Sequence, residues 1–210
     1  MHRRAFSLRA AALACAAAGL ADAVRAQGGA PAEGREFRSL ARPVAVPNSG
    51  KIDVIEFFWY GCPHCFTFEP SLAKWAAGLP HDVGLRRAPV AFDARKALHQ
   101  RIFYTWEALG VLEPMHRKTF ARFHLQKKPV DSLADMLAFA QENGLDRDKV
   151  EAAWNSFSVE SRCREAKRLA DDFDIDETPE MAIGGRFVVR ARPDMLATAD
   201  ALINRVRYHG

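Results

Sequence analysis

Cysteine is scarce in this chain: four in 210 residues, at positions 15, 62, 65 and 163. So few cysteines exclude a framework of several disulfides, and a single close pair excludes a four-cysteine zinc site. His81, His99, His116 and His124 form no ligand pair that would complete a mixed site, and Phe66 stands where a c-type haem motif needs histidine. No lysine- or arginine-rich block occurs, so nothing points to nucleic acid. No apolar run after the first residues is long enough to span a bilayer. Neither an internal repeat nor a low-complexity tract is present.

The N-terminus reads as an address. Arg3, Arg4 and Arg9 precede an uncharged, alanine-rich run from Ala10 to Leu20, and Val24-Arg25-Ala26 offers small residues for cleavage. Residues 1–26 are therefore expected to be a secretory signal peptide, with Arg3-Arg4 an ordinary basic start rather than a twin-arginine signal. The leader holds four Arg and one Asp. Without them 30 basic and 26 acidic residues become 26 and 25, so the net charge of +4 falls to +1. The basic pI belongs to the leader. Cys15 leaves with it, and the odd count that remains suggests one close pair and one spare thiol in an exported protein.

Past a flexible arm expected over residues 27–45, Ile52 to Tyr60 is a nearly continuous apolar run of β-branched and aromatic residues, the pattern of a strand covered on both faces. A helical pattern follows Cys65, with Phe68, Leu72, Trp75, Ala76 and Leu79 on one face, and Pro70 is expected to kink it. A second strand is expected at Gly84–Phe92. The middle third is helical: Leu98, Ile102, Trp106 and Leu109 mark one face, and residues 113–125 a shorter helix. Leu133, Met136, Leu137 and Ala140 follow a cap at Asp131 or Ser132. Val150, Ala153, Trp154 and Phe157 mark the next helix, and residues 159–173 the last of the block. Met181–Ile183 and Phe187–Arg190 flank Gly184-Gly185, a hairpin signal, before a final helix through Met195, Ala199, Leu202 and Val206. The order is β-α-β, about five helices, then β-β-α. So many consecutive helices cannot all cross a small sheet and should form an inserted subdomain. The expected division is 46–96 and 175–210 for the α/β part and 97–174 for the insertion.

Cys62-Pro63-His64-Cys65 sits where the first strand gives way to a helix. Only a thiolate attacks a disulfide, and a helix N-terminus stabilises negative charge through its free N–H groups and dipole. Cys62 is thus expected to be the exposed attacking thiol, and Cys65, one turn in, the more buried resolving thiol. Pro63 fits the first helical turn, and His64 places a donor or positive charge near the Cys62 sulfur. Stabilising that thiolate favours the reduced pair and makes the oxidised pair a strong oxidant.

Phe57-Phe58-Trp59-Tyr60-Gly61-Cys62-Pro63-His64-Cys65, together with Thr178-Pro179 ahead of a hairpin, resembles the DsbA family of periplasmic disulfide oxidases. The likeness covers nearly the whole chain after the leader. It implies a thioredoxin-like α/β fold (a central mixed sheet flanked by helices) with an inserted helical subdomain. It further implies a Cys62–Cys65 redox disulfide and a cis-proline loop at Thr178-Pro179 facing the sulfurs. Thr178 departs from the valine common at that position. Glu56, mid-strand and six residues before Cys62, matches the family's acidic residue beneath the active site, where burial raises its pKa and lets it pass protons to Cys65. Arg87 is a candidate charge partner from the next strand.

The resemblance implies a periplasmic location, reduced exported proteins as substrates and a DsbB-like membrane quinone reductase as reoxidant. No metal or cofactor is expected, and with no added dimerisation domain a monomer is expected. Two alternatives stand beside the oxidase: a reductase or isomerase of the same fold, and a peptide-binding chaperone with a structural disulfide. Cys163 shares a helix face with Val159, Ala166, Ala170 and Phe173 and reads as a small core residue. Trp59 and Tyr60 are candidates to line an apolar substrate groove.

Overall fold

The computed structural model describes residues 30–46 and 50–209. The leader and the start of the arm lie outside the described residues. Five strands run β1 (Phe37–Ser39), β2 (Ile52–Phe58), β3 (Val83–Pro89), β4 (Glu180–Ile183) and β5 (Phe187–Val189). They form one mixed sheet in the order β1-β5-β4-β2-β3, with β2 and β3 parallel and every other pair antiparallel. The parallel pair is joined across α1 (Pro63–Ala77), as parallel neighbours require. Then come α2 (Ala94–Ala108), α3 (Leu112–His124), α4 (Leu133–Glu142), α5 (Arg147–Trp154) and α6 (Phe157–Asp172), and after the hairpin α7 (Met195–His209).

Both faces of the sheet are covered, which explains the apolar run in β2. Val54 joins Leu72 of α1, Met181, Ile183 and Leu202 of α7 in one core. Ile55 and Phe57 face the other way, against Leu169, Ala170 and Phe173 at the end of α6. By the period of two, Glu56 points to the same side as Val54, towards α1. A third core lies among the inserted helices, where Phe58, Tyr60, Phe103, Trp106, Phe120 and Met136 are fully enclosed.

Several expectations need correction. The arm is not free throughout: Phe37 pairs with Val189 and packs edge-on against Phe187 at 5.8 Å, making β1 an edge strand. Three residues are too few for a periodic signal. The expected start of the insertion at 97 falls inside α2, which Asp93 caps by accepting from the Lys96 N–H. Helix α6 serves both parts, since Ala166 packs in the helical core while Leu169 and Ala170 cover the sheet. Phe157 is not an apolar anchor of α5: it opens α6, is 78% exposed, and lies beneath Arg164. The hairpin turn has positive φ at both Gly184 (+57°) and Gly185 (+69°), and Arg186 N–H closes it on Ile183 O at 3.0 Å. Both positions favour glycine, and the register pairs Ile183 with Phe187 beyond the turn.

Candidate active site

The reactive end of the molecule begins as a tight turn. Cys62 N–H donates to Trp59 O at 3.0 Å, so the chain reverses over Tyr60-Gly61 and enters α1 at Pro63. Cys62 is the N-cap of that helix, with extended backbone (φ −81°, ψ 116°), and its Sγ accepts the Cys65 N–H at 3.4 Å. From the far end of the sequence, the Thr178 carbonyl comes to 3.4 Å from the same sulfur, and the Thr178–Pro179 peptide is cis. Pro63 and His64 are exposed on the first turn.

The two thiols sit in opposite electrostatic settings. A hydrogen bond from the Cys65 thiol is the largest influence on Cys62. Together with the N–H groups of Cys65 and His64 and the Thr178 side chain, it outweighs burial and lowers the Cys62 pKa to about 5. Cys65 is driven strongly upward, first by burial, then by donating to Cys62 and by the charges of Cys62 and Glu56. One member of the pair is therefore a thiolate at neutral pH and the other a thiol. Cys62 is only 6% exposed, so it is not the open thiol that its place in the motif suggests. Its sulfur lies under the Thr178 carbonyl.

Beneath the pair lies a buried charge network. Glu56 has no exposure, and Arg87, directly opposite in the β2–β3 register, brings Nε to 3.2 Å from its carboxylate. Arg87 Nη2 donates to Glu69 Oε1 of α1 at 2.7 Å, and the other Glu69 oxygen is 3.4 Å from His116 Nε2. His116 Nδ1 in turn meets the Tyr60 hydroxyl at 3.0 Å. Burial raises the Glu56 pKa to about 8 against the pull of Arg87. Burial acts upward on Glu69 too, but there His116 and Arg87 prevail and hold it below its usual value. The one guanidinium is thus shared unequally, and Glu56 is the carboxyl that keeps a proton at neutral pH. Glu69 and His116 escaped the sequence reading. Glu69 had a signal, since it lies one turn beyond Cys65 on the same helix face; His116 had none.

Tyr60 does not line a groove, while Trp59 stays partly exposed. Tyr60 is fully buried among Phe58, Phe120 and His116, and the Trp59 indole N–H donates to His99 Nδ1 at 2.6 Å. A groove opens beside the Thr178-Pro179 loop. It has a volume of about 660 Å³ and runs between α1 and α7, with His64, Phe68, Thr178, Pro179, Met195 and Leu196 among its walls. Cys163 is half-buried against the helical core, and burial pushes its thiol up to about 11. Among the described residues, no group of three or more His, Cys, Asp or Glu is placed to hold a metal ion.

This architecture has known counterparts. Residues 53–200 match the model of the DSBA-like thioredoxin domain. The thiol:disulfide interchange protein DsbA of Azotobacter vinelandii is 40% identical over 154 residues, covering 73% of this chain and 72% of the relative. The protein of the same name from Burkholderia cepacia is 38% identical over 173 residues, 81% and 80% of the two chains. The crystal structure of Pseudomonas aeruginosa DsbA superposes with a TM-score of 0.79 at 34% identity, over 83% of this chain and 93% of that one. The chain belongs to the DsbA-like thioredoxin domain family.

Proposed function

We propose that the protein is a thiol–disulfide oxidoreductase that donates the Cys62–Cys65 disulfide to reduced, newly exported proteins. The observation that carries this reading is the asymmetry of the pair, Cys62 lowered to about 5 and Cys65 raised. A substrate thiolate attacks Cys62 Sγ, the Cys62–Cys65 bond breaks, and Cys65 leaves with the electron pair. A mixed disulfide then joins the substrate to Cys62. Cys65 takes up a proton, for which buried, protonated Glu56 is the nearby acid. A second substrate thiolate attacks the substrate sulfur of the mixed disulfide, and Cys62 departs as a stabilised thiolate. The substrate loses two electrons and the cysteine pair gains them. Because the low pKa of Cys62 makes it the better leaving group, the second displacement runs towards release of oxidised substrate.

Pro63 limits the freedom of the first turn, and the His64 N–H adds to thiolate stabilisation. The Thr178-Pro179 loop and the α1–α7 groove offer an extended polypeptide a backbone partner and an apolar wall beside the sulfur. Reoxidation requires an external acceptor, and family membership supports a membrane quinone reductase in the periplasm; the protein acts as a monomer. The test is oxidation of a reduced two-cysteine peptide. Cys62→Ser and Cys65→Ser each abolish it, because neither variant can hold the disulfide that takes the two electrons. Unchanged peptide oxidation by Cys62→Ser would refute the enzymatic reading.

A further inference from the structure

Trp59 is bound more specifically than a core aromatic needs to be. Its indole and the His99 ring lie within 12° of parallel with centroids 5.8 Å apart, the geometry of an in-plane hydrogen bond rather than a face-to-face stack. An indole N–H only donates, so His99 Nδ1 must present its lone pair and the ring proton must sit on Nε2. Nε2 faces Asp131 Oδ1 at 3.1 Å, and Asp131 is gripped by Arg95 through two bonds of 2.8 and 2.9 Å. His99 is 1% exposed, and burial keeps it below its usual pKa despite Asp131, so the neutral tautomer that the indole needs is the one present. Lys96 lies over the outer face of the indole at 4.7 Å.

The other side of the indole rests on the turn that carries Cys62. A Cβ on Gly61 would lie 2.4 Å from the indole ring, so the ring covers the Gly61 backbone directly. The Trp59 carbonyl closes the same turn by accepting from Cys62 N–H. One residue therefore touches the turn through its backbone and its side chain, and the N–H beside the ring carbons that cover Gly61 is fixed to α2 and, through His99, to the segment before α4, 40 and 72 residues away in the chain.

We propose that Trp59, oriented by His99 and Asp131, is a positioning residue for the thiol–disulfide reaction. It ties the Cys62 turn to the inserted helices and holds Cys62 at the head of α1. The proposal rests on Cys62 being the attacked sulfur. The Cys65 N–H that stabilises its thiolate acts over a single 3.4 Å contact, and such interactions weaken steeply when geometry loosens.

The test uses the full mature protein in its reduced form, with Cys62 ionisation followed by thiolate absorbance and the exchange equilibrium with glutathione measured at pH 7. Trp59→Phe and His99→Phe each keep an aromatic ring but lose the directional bond. Each is expected to raise the Cys62 pKa by about half a unit and to shift the glutathione equilibrium about threefold towards the disulfide. His99→Asn leaves an acceptor near the Nδ1 position and should recover most of both effects. A folded Trp59→Phe with unchanged Cys62 pKa overturns the proposal, as does His99→Asn behaving like His99→Phe. A purely structural role would move only the unfolding midpoint. Peptide oxidation that survives Cys62→Ser would instead defeat the enzymatic reading, so the two failures are distinguishable.

Discussion

The split between the two thiols dictates how the reduction potential changes with pH. Reducing the disulfide adds two electrons, and the number of protons taken up depends on which thiols hold them. Below the Cys62 pKa of about 5 both sulfurs end as thiols. The potential should then fall by about 59 mV per pH unit, the slope for two protons and two electrons. Above it Cys62 stays ionised and only Cys65 takes a proton, so the slope should halve to about 30 mV per unit. Cys65 stays protonated through the whole range because its pKa is raised. Burial raises the Glu56 pKa to about 8 in the reduced protein, and the Cys62 thiolate adds a smaller upward push. Reduction therefore draws a fraction of a proton onto Glu56 just below that value, and the slope should steepen there locally. Glu56→Gln should remove this second feature and leave the first.

The same ionisation appears as stability. The folded-state pKa of Cys62 is depressed from 9.0, so its contribution is complete above pH 9 and is lost as pH falls through 5. At pH 7 the ceiling is about 2.7 kcal/mol, and partial solvent screening reduces it to about 1–2 kcal/mol. The reduced protein should therefore lose stability relative to the oxidised protein between pH 7 and pH 5. The assay is equilibration with glutathione from pH 4 to 9, acid quenching and quantification of the two forms, with denaturant unfolding of each. A two-proton slope persisting to pH 7 would refute the assignment of a stable Cys62 thiolate.

Four further outcomes are expected. Glu56 has its folded-state pKa raised from 4.5 to about 8, so it costs stability increasingly as pH rises between those values; Glu56→Gln should raise the unfolding midpoint of the reduced protein at pH 8, with the gain vanishing near pH 4.5, and a pH-independent difference would contradict this. Alkylation of the reduced protein at pH 7 should label Cys62 before Cys163, whose pKa is about 11. The thiolate fractions differ by about four decades, but the greater intrinsic nucleophilicity of the higher-pKa thiolate returns nearly three, leaving about a tenfold preference, readable by peptide mass mapping. Gly185→Ala adds a Cβ at φ +69°, 2.3 Å from Val44 O, and should destabilise by about 1–3 kcal/mol in denaturant titration. Leu196→Asp in the groove wall should raise the KM for an apolar peptide dithiol while kcat holds; equal loss in both would place that side chain elsewhere in the reaction.

What the sequence made legible follows from range along the chain. The apolar run of β2, the helical faces of α1 to α4 and the Gly184-Gly185 turn are each written within a dozen residues, by periodicities that burial enforces locally. The Cys62 N-cap and its Cys65 donor are three residues apart and were legible for the same reason. Strand β1 was not, because three residues carry no period and its order comes from pairing with β5, some 150 residues later. Phe157 was misplaced because α5 and α6 are separated only by Asn155 and the cap Ser156, so one apolar pattern ran across both.

The network around the cysteines shows where local reasoning stops. Its contacts join Trp59 to His99, Tyr60 to His116, Glu56 to Arg87 and Cys62 to Thr178, across gaps of 40, 56, 31 and 116 residues. Two of them were reachable, for different reasons. Arg87 follows from the parallel pairing of two visible strands, which sets Glu56 opposite it. Thr178 came only through likeness to a known motif. His99 and His116 had neither route. Composition argued solely that they were no metal pair, a statement about absent partners that left Trp59, Asp131, Tyr60 and Glu69 unseen. A buried histidine accepts one hydrogen bond and donates another only when the fold delivers both partners, and here each comes from a different element. The motif thus identifies which sulfur reacts, while the groups that set its reactivity are specified by the packing of the inserted helices against the turn at Trp59.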